Sequence, residues 1–236
     1  MAKQGEINYL RNIGPEGQAH AFNKPFSDIN CGRYLVDLGV IMCLMPPPPA
    51  KVLDLGAGTG WTSVFFARRG FNVVGQDIAP DAIELANQNK ERNNLNNLNF
   101  VQNDYEKMPF REEFDIAIFY DSLHHCIDEE KAMQSAYDAL RKGGILITVE
   151  PGEGHANSEA SKKTVEKFGV TEKDMPPRLI ISVGKKIGFK RAQVYRRYIN
   201  PVESMCPPRT ILRGLYYLLK SYLKGMHDPN IVVLTK

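Results

Sequence analysis

From Lys51 onward, short apolar runs alternate with longer stretches whose apolar residues recur every three or four positions. The runs at 51–55, 72–76, 99–102, 114–120 and 145–149 predict strands, and the stretches at 61–69, 80–93 and 128–141 predict helices. Pro80 stands where a helix begins, so its missing N–H costs nothing. Asp128 can cap the third helix, and Gly143-Gly144 stops it. Strands in alternation with helices build βαβ units around a parallel sheet, and near-continuous apolar strands suit a sheet covered on both faces. In such a sheet, functional residues gather at the carboxyl ends of the strands.

The flanks are less regular. Residues 1–30 are polar and mixed, broken by Gly14-Pro15 and Gly17. Tyr34, Leu35, Leu38, Ile41, Met42 and Met45 then recur at helical spacing until four prolines, Pro46 to Pro49, end the helix. This divides the chain into a helical extension or lid at 1–45 and a main domain at 46–236. Beyond the fifth strand, 163–168 and 179–186 read as helices, and 192–198 and 231–235 as strands. An insert at 200–229 separates those last two strands. Its Ile211, Leu212, Leu215, Tyr216, Leu219, Tyr222 and Leu223 make an apolar face rimmed by Arg209, Arg213, Lys220 and Lys224. Such a face can pack on its own sheet edge, pair with a second copy as a homodimer, or lie on a membrane surface through 209–224.

Composition narrows the classes. At 236 residues, with 43% hydrophobic and 24% charged residues, the chain suits one α/β domain with extra segments. A net charge of +3 without a run of Lys and Arg argues against nucleic acid as a partner. Cys31, Cys43, Cys126 and Cys206 form no CxxC pair, so they read as reduced thiols of a cytoplasmic protein. The first ten residues lack the apolar core of a signal peptide, and no apolar run approaches the roughly 20 residues that span a bilayer.

The most specific signal is Asp54-Leu55-Gly56-Ala57-Gly58-Thr59-Gly60, directly after the first strand. Missing Cβ atoms let a ligand reach the backbone there, and the next helix offers free N–H groups. A dinucleotide fingerprint wants a third glycine five positions after the first, where this chain has Trp61, whose bulk speaks against an NAD-linked oxidoreductase. The D-x-G-x-G-x-G form resembles the first motif of the class I S-adenosylmethionine (SAM)-dependent methyltransferases, over about 51–149. That resemblance implies a doubly wound, mostly parallel seven-stranded sheet with helices on both faces and an antiparallel last strand. It also implies SAM as cofactor and S-adenosylhomocysteine as product. By position in the motif, Gly56, Ala57, Gly58 and Gly60 would form the cofactor turn, and Asp54 would orient it or hold the methionine amino group. Asp77 would accept the ribose hydroxyls, Ile78 would pack on adenine, and Asp104 with Tyr105 would meet the adenine edge.

The segment from Tyr120 through Asp121, Ser122 and Leu123 to His124, His125 and Cys126 leaves the fourth strand. In relatives it borders both the methionine end of SAM and the acceptor. An oxygen acceptor must lose a proton, and an imidazole titrates near neutral pH, which makes His125, then His124, the candidate bases. Glu150 and His155, after the fifth strand, are candidate substrate contacts. Acidic residues do not cluster as magnesium would need, so no metal is expected. The expected activity is methyl transfer to a small or medium-sized acceptor, oxygen before nitrogen, such as a sugar or other secondary metabolite. The alternatives are a membrane-surface enzyme with a lipid-like acceptor and a SAM-binding partner protein without catalysis.

Overall fold

A computed structural model describes residues 2–197, 211–212, 215–216, 219 and 227–236. Among these, eight α-helices and seven strands follow in the order α1 (Ala2–Asn12), α2 (Gly14–Phe22), α3 (Cys31–Leu44), β1 (Lys51–Leu55), α4 (Trp61–Arg68), β2 (Asn72–Asp77), α5 (Pro80–Arg92), β3 (Leu98–Gln102), β4 (Phe114–Tyr120), α6 (Glu129–Ala139), β5 (Leu140–Val149), α7 (Glu159–Phe168), α8 (Pro177–Ile187), β6 (Arg191–Arg196) and β7 (Asn230–Thr235). The strands form one sheet in the order β3-β2-β1-β4-β5-β7-β6. β1 to β5 pair in parallel, and β7 runs antiparallel to both β5 and β6. The mostly parallel, doubly wound architecture expected from the sequence is therefore present, with the antiparallel strand at β7.

Alternate residues of each strand feed two apolar layers, because successive side chains point to opposite faces. Val52, Val73, Ile116, Ile118, Ile147 and Val233 join Val64 and Phe66 of α4 on one face. Leu53, Leu55, Phe119, Leu146 and Leu234 join Met133 of α6 and Ile180 of α8 on the other. Leu38 and Ile41 of α3 are buried in the first layer. The helix expected to precede the main fold is thus part of its core.

The helical extension holds three helices, and one expectation needs correction. The polar start of the chain is helical: Gly14, at φ +75°, breaks it into α1 and α2, and Pro15 opens the second helix. The helix expected to reach Arg141 ends at Ala139, and β5 starts at Leu140, pairing with Phe114 before a register shift. Gly143 therefore sits within β5, at φ +80°, rather than ending a helix.

Of the insert, Ile211, Leu212, Leu215, Tyr216 and Leu219 are helical and exposed. Arg209, Arg213, Lys220, Tyr222, Lys224 and Leu223 lie outside the described residues, as does Tyr198 at the expected end of β6. Among the described residues, no helix is long and apolar enough to cross a membrane.

Candidate active site

The carboxyl end of β1 delivers the chain into a turn where Gly56, Gly58 and Gly60 all have positive φ, at +69°, +54° and +77°. A Cβ at Gly56 would come 2.7 Å from Ser122 Cβ, whereas at Gly58 it would meet open space. The turn is pinned from its neighbours: Ala57 N–H donates to the Gln76 carbonyl at 2.9 Å, and Gly58 N–H to Asp77 Oδ2 at 2.8 Å. Asp77 also accepts from Ala79 N–H at 2.9 Å, and burial raises its carboxyl above the ordinary range despite these bonds. Each of its oxygens keeps a further lone pair.

Asp54 is 1% exposed and accepts from Thr62 Oγ1 and Ser63 Oγ, both at 2.6 Å. Of the two roles expected for it, the geometry gives it the first: it ties the end of β1 to the first turn of α4, and it does not reach the cavity. Gly60 likewise stays off the cavity wall, its α-carbon packed against the Phe100 ring.

That cavity, of about 410 Å³, lies over the carboxyl ends of β1 to β4. Gly56, Ala57, Gly58, Asp77, Ile78, Asp104, Tyr105, Tyr120 and His125 line it, so nine of the fourteen candidate residues meet in one place. Helix α1 roofs it with Lys3, Glu6, Tyr9 and Leu10, and Ile13 follows directly after the helix. The roof is held by charge as well as packing: Lys3 pairs with Asp104 and, at 3.0 Å, with Glu106. Arg11 makes two 3.0 Å hydrogen bonds to Asp81 at the start of α5. Ala21, Lys24 and Tyr34 of the N-terminal extension also line the cavity, while His20, Phe22, Asn23 and Phe26 do not.

The loop after β4 is held from beneath by Glu150. This carboxylate is 1% exposed and accepts from the N–H groups of Ser122 at 3.1 Å, Leu123 at 2.8 Å and His124 at 3.3 Å, and it bonds His124 Nδ1 at 2.7 Å. Glu150 is therefore a loop anchor and not the expected substrate contact. His155 also stands off the cavity, its Nε2 2.6 Å from Glu172 Oε2. His124 is buried under the loop, which removes it from the expected pair of bases and leaves His125 on the wall. The Nδ1 of His125 lies 2.7 Å from the Thr171 carbonyl and 3.6 Å from Glu6 Oε1. Burial opposes its charged form, but Glu6, Glu172 and the Thr171 carbonyl outweigh that and raise it to about 9.

On the opposite side, Tyr120 Oη donates to Asp37 at 2.8 Å, and Arg197 clamps Asp37 and Asp121 together, with bonds of 2.9 and 3.0 Å. Tyr34 and Trp61 pack against Tyr120 at ring distances of 6.4 and 5.5 Å, and all three face the cavity. Glu6, Tyr9 and Glu172 are wall residues that the sequence reading missed. Glu6 and Tyr9 sit in a polar stretch without a strong apolar stripe, and Glu172 sits between two predicted helices. Only a resemblance covering those flanks would have marked them.

The sequence and the fold have counterparts. The sequence profile of a family described as "Methyltransferase domain" matches residues 48–187. The ubiquinone/menaquinone biosynthesis C-methyltransferase UbiE of Vibrio parahaemolyticus is 31% identical over 212 residues, covering 83% of this chain and 75% of that one. The S-adenosyl-L-methionine-dependent Diels-Alderase iccD of Talaromyces variabilis is 32% identical over 124 residues, 50% of this chain and 41% of its own. The solved structure of Haemonchus contortus phosphoethanolamine N-methyltransferase 2 with S-adenosyl-L-methionine superposes with a TM-score of 0.71 at 19% identity, covering 98% of this chain and 60% of that one. The chain thus spans well under two thirds of the length of some of the relatives it matches, and at such identities the solved structure attests the fold alone.

Proposed function

The chain belongs to the class I SAM-dependent methyltransferase family, and from that premise we propose that it transfers the SAM methyl group to a small acceptor seated between the glycine turn, His125 and the aromatic wall. The observation that carries this reading is the single cavity, bounded at once by the glycine turn, by Asp77 and Ile78 after β2, and by the loop after β4. The turn fits the cofactor physically: a Cβ at Gly58 would project into open space, so a ligand can lie against that backbone. Asp77 keeps lone pairs for a ribose diol, and Ile78 offers an apolar surface for a base. SAM supplies an electrophilic methyl group, so the protein contributes orientation and exclusion of water.

The chain's own residues divide that work. Glu150 fixes the loop that carries His125, Asp77 fixes the glycine turn, and α1 closes the site from above. An oxygen acceptor is proposed because His125, held largely protonated at neutral pH beside Glu6 and Glu172, can stabilise a deprotonated acceptor oxygen, and because Tyr34, Trp61 and Tyr120 offer ring edges and faces to a flat or cyclic acceptor. Transfer to a ring carbon beside a hydroxyl is a second reading, supported by the C-methyltransferase name of the Vibrio relative. Incubating the protein with SAM labelled in its methyl carbon and a panel of phenols, enols, sugars and amines tests both. Nuclear magnetic resonance of the product separates a methoxy from a C-methyl or N-methyl group. Cofactor binding without transfer to any of these acceptors would leave the lipid-like acceptor and the partner-protein alternatives, which a lipid substrate then separates.

The cofactor assignment has its own test. Asp77→Asn weakens two charge-assisted contacts of about 1.5–3 kcal/mol each without removing the side chain. SAM affinity is expected to fall roughly 10- to 100-fold in calorimetry, with circular dichroism unchanged. An unchanged dissociation constant would remove Asp77 from the cofactor site.

A further inference from the structure

Beneath the cavity floor, three side chains that no step above requires to act together converge. His124, His125 and Glu172 each offer one donor atom, and these three atoms lie within 4.8 Å of one another. We propose that they bind a divalent transition-metal cation of the zinc class, with a coordination position open to the cavity.

The spacing suits such an ion. Zinc bonds of about 2.0–2.2 Å in tetrahedral geometry set neighbouring donors roughly 3.4 Å apart. His124 Nε2 lies 3.7 Å from Glu172 Oε2. That separation is too long for a hydrogen bond and close to the span across a shared ion. The outer contacts also match. A ligating imidazole normally donates its second N–H to a carboxylate or a carbonyl, which fixes the tautomer and turns the other nitrogen to the metal. His124 Nδ1 bonds Glu150 at 2.7 Å, and His125 Nδ1 bonds the Thr171 carbonyl at 2.7 Å. Glu150 is itself immobilised by three backbone N–H groups. With Nδ1 so engaged, His124 turns Nε2 toward Glu172 Oε2, an oxygen that also bonds His155 Nε2 at 2.6 Å and keeps a lone pair for a cation.

Two imidazoles and one carboxylate favour zinc-class ions over magnesium or calcium, which prefer all-oxygen sets. Three protein ligands leave a fourth position, as in catalytic rather than structural zinc sites. His125 and Glu172 line the cavity while His124 lies behind it, so that position opens toward the acceptor. An acceptor oxygen bound there would be polarised and would lose its proton more readily. Glu172 escaped notice as a partner of the histidines because it comes from a separate loop, 47 and 48 residues from them, without a recognisable spacing.

The test uses the whole chain, stripped with a chelator and titrated with Zn²⁺ alone by calorimetry at about pH 8, in two buffers so that the protons zinc displaces are counted. One equivalent with micromolar or tighter affinity is expected. His124→Ala and Glu172→Gln should each weaken it at least about 100-fold, and Glu150→Gln about 10- to 100-fold. Circular dichroism and a thermal melt of each variant check that it is folded. Replacing Cys31, Cys43 and Cys206 together with serine should leave zinc binding intact. Co²⁺ added to the unaltered protein provides a readout independent of any variant: visible bands of a low-coordinate nitrogen and oxygen site are expected. Absence of stoichiometric zinc binding, a thiolate-to-cobalt charge-transfer band in place of those visible bands, or binding lost in the serine variant would overturn the proposal.

Discussion

Gly56→Val is expected to abolish measurable SAM binding and to lower the melting temperature. The backbone at Gly56 has φ +69°, which costs an L-residue about 1–2 kcal/mol and a β-branched one more. Strain is the smaller part of the effect. A Cβ would stand 2.7 Å from Ser122 Cβ and 3.2 Å from its Oγ. Ser122 cannot step aside, because its Oγ donates to the Leu55 carbonyl at 2.7 Å and its N–H to Glu150 at 3.1 Å. The turn must therefore move, and with it the backbone that faces the cavity. Gly58→Ala is the control: it has a similar φ but nothing within 4 Å of the new methyl. It should lose about 1 kcal/mol of stability from backbone strain and still fold. Its loss of SAM affinity would come from steric conflict with the ligand alone. Calorimetry and thermal melts on both variants decide. If Gly56→Val binds SAM within a few-fold of the unaltered protein, this turn does not form the cofactor cradle.

The contrast between these glycines shows what the sequence could and could not convey. Spacing located the turn, because only a run of glycines after an apolar strand satisfies its backbone. The strands were legible for the same local reason: Val52, Leu53 and Leu55 feed both apolar layers, and that leaves a continuous apolar run. Contacts made across long separations left no local mark. Helix α1 is held by Lys3 to Asp104 and Arg11 to Asp81, pairs 101 and 70 residues apart, and its apolar anchors are Leu10 against Ala79 and Ala82 and Tyr9 edge-on to Phe168. A polar helix of that kind reads as a tail. Glu150 shows a second limit. A carboxylate just past a strand looks the same in sequence whether it faces substrate or turns beneath a loop. Only the loop's own N–H groups, directed at it from Ser122, Leu123 and His124, reveal which. His124 and His125 were adjacent candidates of equal chemistry, and the short helical turn that carries them puts one on the wall and the other under it.

Arg197→Met should be the most destabilising substitution of a residue that faces no ligand. Arg197 follows β6, where the sequence read only another strand position. Its guanidinium, with 5% side-chain exposure, bonds Asp37, whose side chain is 1% exposed, and both oxygens of Asp121. Removing one partner of a buried ion pair typically costs about 3–5 kcal/mol, because the remaining charge stays buried without compensation. The Asp121 side chain keeps 34% exposure, so most of that cost falls on Asp37. Tyr120, which donates to Asp37 and lines the cavity, should lose its fixed position, so SAM or acceptor affinity should fall along with stability. The pH dependence gives an independent sign. Burial pushes the Asp121 carboxyl up, but Arg197 more than reverses this and holds it below the ordinary range. A group depressed in the folded state stabilises above its unfolded value of about 3.9 and loses that contribution as pH falls through the folded value. Without Arg197 the carboxyl should rise from that depressed position, so the variant should lose less stability than the unaltered protein as pH falls below about 4. Urea unfolding across that range measures both effects. A loss under about 1 kcal/mol, the size of an exposed pair, would show that the clamp does not hold the two strand ends together.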